Sequence, residues 1–258
     1  MCGIFFSTKN YSKNQVEKKL DTIKFRGPDN FGYYNDNFVT LGHLRLSILD
    51  LESRSNQPFF YNEYAVVFNG EIYNFKYLKG TLEKLGYKFN TQSDTEVLAV
   101  AFIHWKEKCL YKINGMFSFV IYNKLNGEVF IGRDRLGVKP LYYNINNNFF
   151  EICSQIKPIS NNEICKKSLE LYYLFGYVPT PFTIYKNIKK LEPGTFIKYN
   201  LKSKKIVFKN YWKIDYNNKF KIDYKSSKQL LSKKLQNAVR RRLISDVNLG
   251  FFLSSGVD

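Results

Sequence analysis

One residue close to the start of this sequence could supply a nucleophile unaided: Cys2. Removal of Met1 would leave a thiol and a free α-amine on the same residue. An α-amine has a pKa of about 7.7 to 8 and a cysteine thiol about 8.5, so the amine can take the thiol's proton near neutral pH. N-terminal threonine nucleophiles use the same device. Read alone, Cys2 is equally an ordinary buried cysteine. Cys109, Cys153 and Cys165 form no C-x-x-C pair and have no histidine at metal-ligand spacing, which argues against a zinc site or a disulfide framework, and no metal site is expected.

The segments that must hold such a nucleophile can be read from spacing. Cys2 to Phe6 reads as a short buried strand. Val16, Leu20 and Ile23 recur at helical spacing, and the helix should stop before Arg26-Gly27-Pro28-Asp29, where Gly-Pro forces a turn. Tyr64 to Phe68 has the continuous apolar character of a strand covered on both faces, ending at the turn signal Asn69-Gly70. Phe75, Leu78, Leu82 and Leu85 then mark a helix face. Ser93-Asp94-Thr95-Glu96 has the form of a capping box, so a second helix should begin near Asp94. Phe117 to Tyr122 and Glu128 to Gly132 read as paired strands, with further strands near Leu141 to Ile145 and Phe149 to Cys153. This order favours antiparallel sheets with helices outside over a regular βαβ repeat. Tyr177 to Trp212, with its prolines and the turn Glu192-Pro193-Gly194, reads as a domain edge. Residues 213 to 225 read as a linker, followed by a helix through Leu231, Leu235, Ala238 and Arg242 and a buried strand from Leu249 to Leu253.

Composition sets the outer limits. With 258 residues, 44% hydrophobic and 17% aromatic, the chain can bury a sizeable core, which rules out disorder as its overall state. The net charge of +18 is spread as single lysines and short pairs, the pattern of solvated surface, so no nucleic-acid partner is expected. No apolar run approaches the roughly 18 to 20 residues of a bilayer span, and Gly3 to Phe6 is too short for a secretion signal. No membrane partner and a cytoplasmic, reduced location are the expectation.

Six motifs occur together: Cys2-Gly3-Ile4; Arg26-Gly27-Pro28-Asp29; His43-Leu44-Arg45-Leu46-Ser47-Ile48; Asn69-Gly70-Glu71-Ile72-Tyr73-Asn74; Ser93-Asp94-Thr95-Glu96; and the run from Gly132 to Tyr143. In this order, across residues 1 to 212, they resemble the glutamine-hydrolysing asparagine synthetase family. The resemblance implies an α+β fold, an αββα sandwich of two antiparallel sheets of the N-terminal-nucleophile hydrolase type, with residues 1–212 forming a class II glutamine amidotransferase domain. Cys2 would attack the glutamine side-chain amide, and the Asn69 side chain with the Gly70 N–H would form the oxyanion hole. Arg45 would hold the α-carboxylate bidentately, Asp94 with the Asn69-Gly70-Glu71 segment the α-ammonium, and Ile48 would complete the glutamine-binding set. Without that context Asp94 reads as a helix-terminus anion, Asn69-Gly70 as a turn and Arg45 as a surface or salt-bridging residue. Arg26, Asp29, Arg133, Asp134 and Arg135 read as charges that tie loops together beneath the pocket.

Residues 213–258 would be a linker and the truncated start of an α/β ATP-binding domain. Leu253-Ser254-Ser255-Gly256-Val257-Asp258 resembles the family's pyrophosphate-binding loop, with Ser255 where a glycine is usual; Gln155 stands where the family commonly has glutamate. By the resemblance the glutaminase part needs no cofactor. The full-length parent would use ATP and Mg2+ to amidate aspartate to asparagine, and a homodimer is the assembly to test for. Two functional alternatives stay open on sequence: a catalytically incomplete fragment acting as a binding module, and an amidotransferase for another carboxylate acceptor.

Overall fold

The computed structural model describes residues 1–159 and 163–256. The chain runs β1 (Gly3–Ser7), α1 (Lys13–Asp21), β2 (Asn30–Asn35), β3 (Thr40–Arg45), β4 (Phe59–Tyr61), β5 (Tyr64–Ile72), α2 (Phe75–Lys84), α3 (Asp94–Trp105) and the short α4 (Cys109–Lys112). It continues through β6 (Gly115–Asn123), β7 (Glu128–Arg133), β8 (Tyr142–Ile145), β9 (Phe150–Cys153), α5 (Lys166–Phe175), β10 (Ile188–Lys190), β11 (Thr195–Asn200), β12 (Ile206–Asn210) and α6 (Tyr224–Arg241). The strands form two six-stranded sheets, ordered β10-β8-β9-β1-β3-β2 and β12-β11-β7-β6-β5-β4, with every pairing antiparallel.

Strand alternation explains the layers. Successive strand residues face opposite ways, so a sheet covered on both sides needs apolar residues in both registers. Ile4 and Phe6 of β1 meet Ala65 and Val67 of β5, Val120 of β6 and Ile131 of β7 between the sheets. Phe5, between them in sequence, faces the other way and packs with Val16 and Leu20 of α1. On the far side, Val66 and Phe68 of β5 and Phe117 and Phe119 of β6 pack under Leu78 and Leu82 of α2 and Val97 to Ala101 of α3. These three interfaces make a four-layer αββα sandwich, as the resemblance implied.

Several local expectations need correction. Asn69-Gly70 is not a turn: β5 runs through it to Ile72 in unbroken register, with Asn69 opposite Ser118 and Gly70 opposite Phe117. An Asn-Gly pair is a turn signal only where the backbone must reverse, and here nine consecutive ladder positions on β6 hold it extended. The capping box is half made. Ser93 caps α3 by accepting from Thr95 N, but the Glu96 carboxylate turns upstream to Asn90 N, Thr91 N and the Thr91 hydroxyl instead of reaching back to the cap. The stretch read as a domain edge contributes β10, β11 and β12 to the two sheets. Leu249 to Leu253 is irregular and exposed, not a buried strand, because among the described residues it has no neighbouring strand to pair with. α6 forms where expected, capped by Asp223, but buries none of its residues.

Candidate active site

β1 and β3 are neighbours in register, Gly3 opposite Leu44, which sets Cys2 beside the end of β3. Backbone contacts hold the terminus there. Ile4 N donates to the Ser154 hydroxyl at 3.0 Å and Arg26 Nε donates to Cys2 O at 2.9 Å. Gly27 admits this close approach, since a Cβ there would lie 2.3 Å from Leu44 O. The Cys2 thiol faces Leu46: Sγ accepts from Leu46 N at 3.4 Å and lies 3.7 Å from Leu46 O. Burial raises the pKa of this thiol, and the Leu46 hydrogen bond works against the rise. Burial also lowers the pKa of the terminal amine of Met1, a residue that is itself 54% exposed.

One small pocket of about 30 Å³ is lined by Cys2, Arg45, Ile48, Gly70, Glu71 and Asp94, together with Leu46, Ser55, Gln57 and Thr95. Six of the seven residues assigned to glutamine chemistry are therefore brought together from the residue before β1, the end of β3 and the loop after it, β5 and the start of α3. Two larger cavities, of about 690 and 850 Å³, are lined by none of these six.

Asn69 lies just behind the pocket, fully buried. In the orientation that satisfies both ends of its amide, Nδ2 donates to Cys2 O at 3.2 Å and Oδ1 accepts from Arg26 at 3.3 Å. Asp94, the first residue of α3, accepts at Oδ2 from Ile72 N at 2.9 Å, tying the first turn of α3 to the end of β5. Burial raises the carboxyl pKa of both Asp94 and Glu71, and for Glu71 the Asp94 charge adds to the rise while Lys139 opposes it.

Arg45 departs from expectation. Nη1 donates to Glu52 O at 3.0 Å and Asn56 Oδ1 at 2.8 Å; Nη2 donates to Leu49 O at 3.3 Å and to Asp50 O. Each Nη carries two hydrogens, so no Nη hydrogen is open for a carboxylate in this state. The loop-tying charges behave as read. Arg133 donates to Lys139 O, Gly137 O and Leu191 O, and the Asp134 carboxylate accepts from four main-chain N–H groups, those of Phe117, Leu136, Val138 and Lys139. Arg135 donates to three carbonyls of the α4 segment, and Asp29 accepts from Ser47 N. Sequence reasoning missed Gln57, which accepts from Phe68 N at 2.6 Å and donates to Thr95 Oγ1; nothing in its surroundings in the chain signals the role.

Leu253 to Gly256 lie exposed and irregular, with Gly256 N donating to the Ser254 hydroxyl. Val257 and Asp258 fall outside the described residues. Among the described residues no group of three or more His, Cys, Asp and Glu side chains could hold a metal, and no helix is long and apolar enough to cross a membrane.

Two face-packed antiparallel sheets with helices outside, and a cysteine near the chain start facing a pocket at one end of the sandwich, define an N-terminal-nucleophile hydrolase fold of the glutamine amidotransferase class. The solved glutamine phosphoribosylpyrophosphate amidotransferase from B. subtilis, complexed with ADP and GMP, shares the fold with a TM-score of 0.61 over 83% of this chain and 50% of that one, at 18% identity. Residues 1–212 match the glutamine amidotransferase domain family and residues 230–258 match the asparagine synthase family. The chain belongs to the glutamine amidotransferase domain family. Asparagine synthetase [glutamine-hydrolyzing] 1 of Bacillus subtilis is 37% identical over the whole of this chain, which covers 42% of that protein. Asparagine synthetase [glutamine-hydrolyzing] 3 of the same organism is 33% identical, again over the whole chain and 44% of its own length. The chain thus spans less than half the length of these two curated relatives.

Proposed function

We propose that this chain hydrolyses glutamine to glutamate and ammonia, with Cys2 as nucleophile once Met1 is removed. The observation that carries the reading is the convergence of Cys2, Arg45, Ile48, Gly70, Glu71 and Asp94 on one pocket. The α-amine that loss of Met1 frees on Cys2 takes the thiol proton as Sγ attacks the side-chain carbonyl carbon of glutamine. The Gly70 N–H and the Asn69 amide, released from Cys2 O, donate to the oxyanion. The amine returns the proton to the departing nitrogen, and ammonia leaves. Water then cleaves the γ-glutamyl thioester, giving glutamate and restoring the thiol. Asp94 and Glu71 meet the α-ammonium. The Arg45 guanidinium attracts the α-carboxylate, which displaces main-chain oxygens now bound to it.

For the full-length protein the proposal extends to an ATP-dependent domain that uses the ammonia to amidate aspartate, with Mg2+ accompanying ATP. Its supports are the names of the relatives and the match of residues 230–258. We divide this chain into a glutaminase domain, 1–212, and a linker with the start of the ATP-dependent domain, 213–258. A cytoplasmic location accords with four free cysteines; a homodimer rests on the resemblance alone.

The test is Cys2→Ala. Glutamine-dependent release of glutamate and ammonia should vanish while the circular dichroism spectrum is kept, and intact mass spectrometry of active protein should find Met1 removed. A variant that releases ammonia at the parent rate would overturn the nucleophile assignment.

A further inference from the structure

In the pocket read above as the glutamine site the Arg45 guanidinium is already occupied, and a segment beyond the amidotransferase domain helps to hold it so. The four oxygens that occupy Arg45 all come from residues 49–56. Asp50, at the centre of this loop, adopts φ 46°, a left-handed conformation that non-glycine residues rarely take without support.

That support comes from far along the chain. Asp50 N donates to Asp246 Oδ2 at 2.7 Å, and Asp246 N donates to Ile48 O at 2.9 Å, so Asp246 brackets the loop from Ile48 to Asp50. The Asp50 carboxylate in turn accepts from Gln92 N at 2.7 Å and Arg54 Nε at 3.1 Å, joining the loop to the approach to Asp94. The Arg242 guanidinium lies 4.8 Å from the centre of the Tyr73 ring, immediately beyond the strand that carries Gly70 and Glu71. Ile244, between these two contacts, packs against the core under α2 and α3. Residues 242–246 therefore touch the loop beside Arg45 and the residue that follows the Gly70 strand, and Asp246 stands only eight residues before Ser254.

We propose that residues 242–246 are a latch that keeps Arg45 of the glutamine pocket occupied, with Asp246 as the positioning residue that fixes the loop over Arg45. When the segment is displaced, Asp50 leaves its left-handed conformation, its carbonyl swings off Arg45, and the guanidinium becomes available to a carboxylate. The following residues, 247 to 256, give any movement of the phosphate-loop segment a direct mechanical route to the pocket.

The inference rests on the glutamine reading, and its test keeps the two apart. Wild type, Asp246→Ala, Asp246→Asn and Arg242→Ala of this chain are assayed for glutamine hydrolysis and for labelling of Cys2 by a glutamine-like chloroketone and by iodoacetamide. Asp246→Ala and Arg242→Ala should each lower KM for glutamine by about three-fold or more and speed chloroketone labelling equally, with kcat and iodoacetamide labelling within about two-fold of wild type. Asp246→Asn, which keeps an acceptor for Asp50 N, should stay close to wild type. Unchanged or raised KM in a folded Asp246→Ala protein overturns the latch and leaves the glutaminase reading standing; should that variant fail to fold, an unchanged KM in Arg242→Ala does the same. Absence of Cys2-dependent glutamine hydrolysis in wild type would instead overturn the glutaminase reading.

Discussion

Gly70 occupies the middle of an extended strand whose backbone any residue could adopt; what excludes a side chain there is its neighbour. A Cβ at position 70 would lie 2.4 Å from Met116 O, 2.8 Å from Phe117 Cα and 2.9 Å from Phe117 Cβ. The two closest of these atoms belong to the backbone of β6, so no rotamer change relieves the contact, and Gly70→Ala must push β5 and β6 apart by roughly 1 Å to restore van der Waals distance. Phe117 cannot recede freely, because it is 1% exposed and packed in the core under the helices. Overpacking of this kind costs roughly 1–3 kcal/mol, less than the ~5–15 kcal/mol by which domains are normally stable, so the variant should still fold. Activity should suffer far more. A displacement near 1 Å in a reacting constellation costs about 100-fold, and loss of one oxyanion donor about 100- to 1,000-fold, so kcat should fall by about 100-fold or more. Gly80→Ala is the matched control: a Cβ there meets nothing within 4 Å, the residue is helical, and the change should stabilise by about 0.5–1 kcal/mol with kcat unaltered. Urea unfolding and glutamate release measured on the three proteins decide the matter. A Gly70→Ala enzyme destabilised as expected but with kcat within about three-fold of wild type would remove the Gly70 N–H from the mechanism; one with unchanged stability would refute the steric reckoning.

Burial holds the Asp94 and Glu71 carboxyls above their ordinary pKa values, so each keeps its proton in the fold at pH values where the unfolded chain has lost it. Their stabilising contribution is full at low pH, below the ordinary carboxyl range, and is lost as pH rises through the raised values. Asp94→Asn, which keeps an acceptor for Ile72 N, should therefore be more stable than wild type in urea at pH 8 and no more stable at pH 4, while KM for glutamine rises; a gap independent of pH would contradict the assignment. Among the cysteines, Cys165, only partly buried and with its thiol pKa lowered by Ser168, should react first with iodoacetamide. Glutamine should protect Cys2. Cys109 and Cys153, whose thiol pKa values burial raises, should stay unlabelled until urea unfolds the domain, and peptide mapping that finds either labelled earlier would disprove the packing described.

The sandwich could be read in the sequence because burial on both faces of a sheet writes apolar residues into both strand registers, as Ile4, Phe5 and Phe6 do on β1. The pocket residues could be read because six motifs recur in one order. What could not be read was decided at a distance. Whether Asn69-Gly70 turns or extends depends on β6, more than forty residues on, which supplies the ladder partners. Whether Glu96 closes a capping box depends on Asn90 and Thr91 offering N–H groups that have no other partner in their loop. Leu249 to Leu253 carries an apolar pattern that no described strand answers, and apolarity alone does not make a strand.

The same reasoning accounts for where the chemistry lies. Along the inter-sheet layer the residues are apolar from Val39 and Leu41 through Ala65, Val67, Val120 and Ile131, and then polar: His43, Asn69, Ser118 and Ser154 are all buried at its other end, beside Cys2. His43 Nδ1 and Ser118 Oγ lack hydrogen-bond partners there, and burial lowers the His43 pKa to about 3, so that its ring stays neutral. A core built only for stability would fill these positions with apolar side chains, since each unpaired buried polar atom costs roughly 1–3 kcal/mol. With two buried carboxyls whose pKa values burial raises, a left-handed Asp50 and a buried Arg45 clustered at the same end, the sandwich spends stability in one place. The apolar remainder of the layer and the two helix-covered faces supply the stability that offsets this, which is why the nucleophile stands at the edge of a large core and not in a loop of its own.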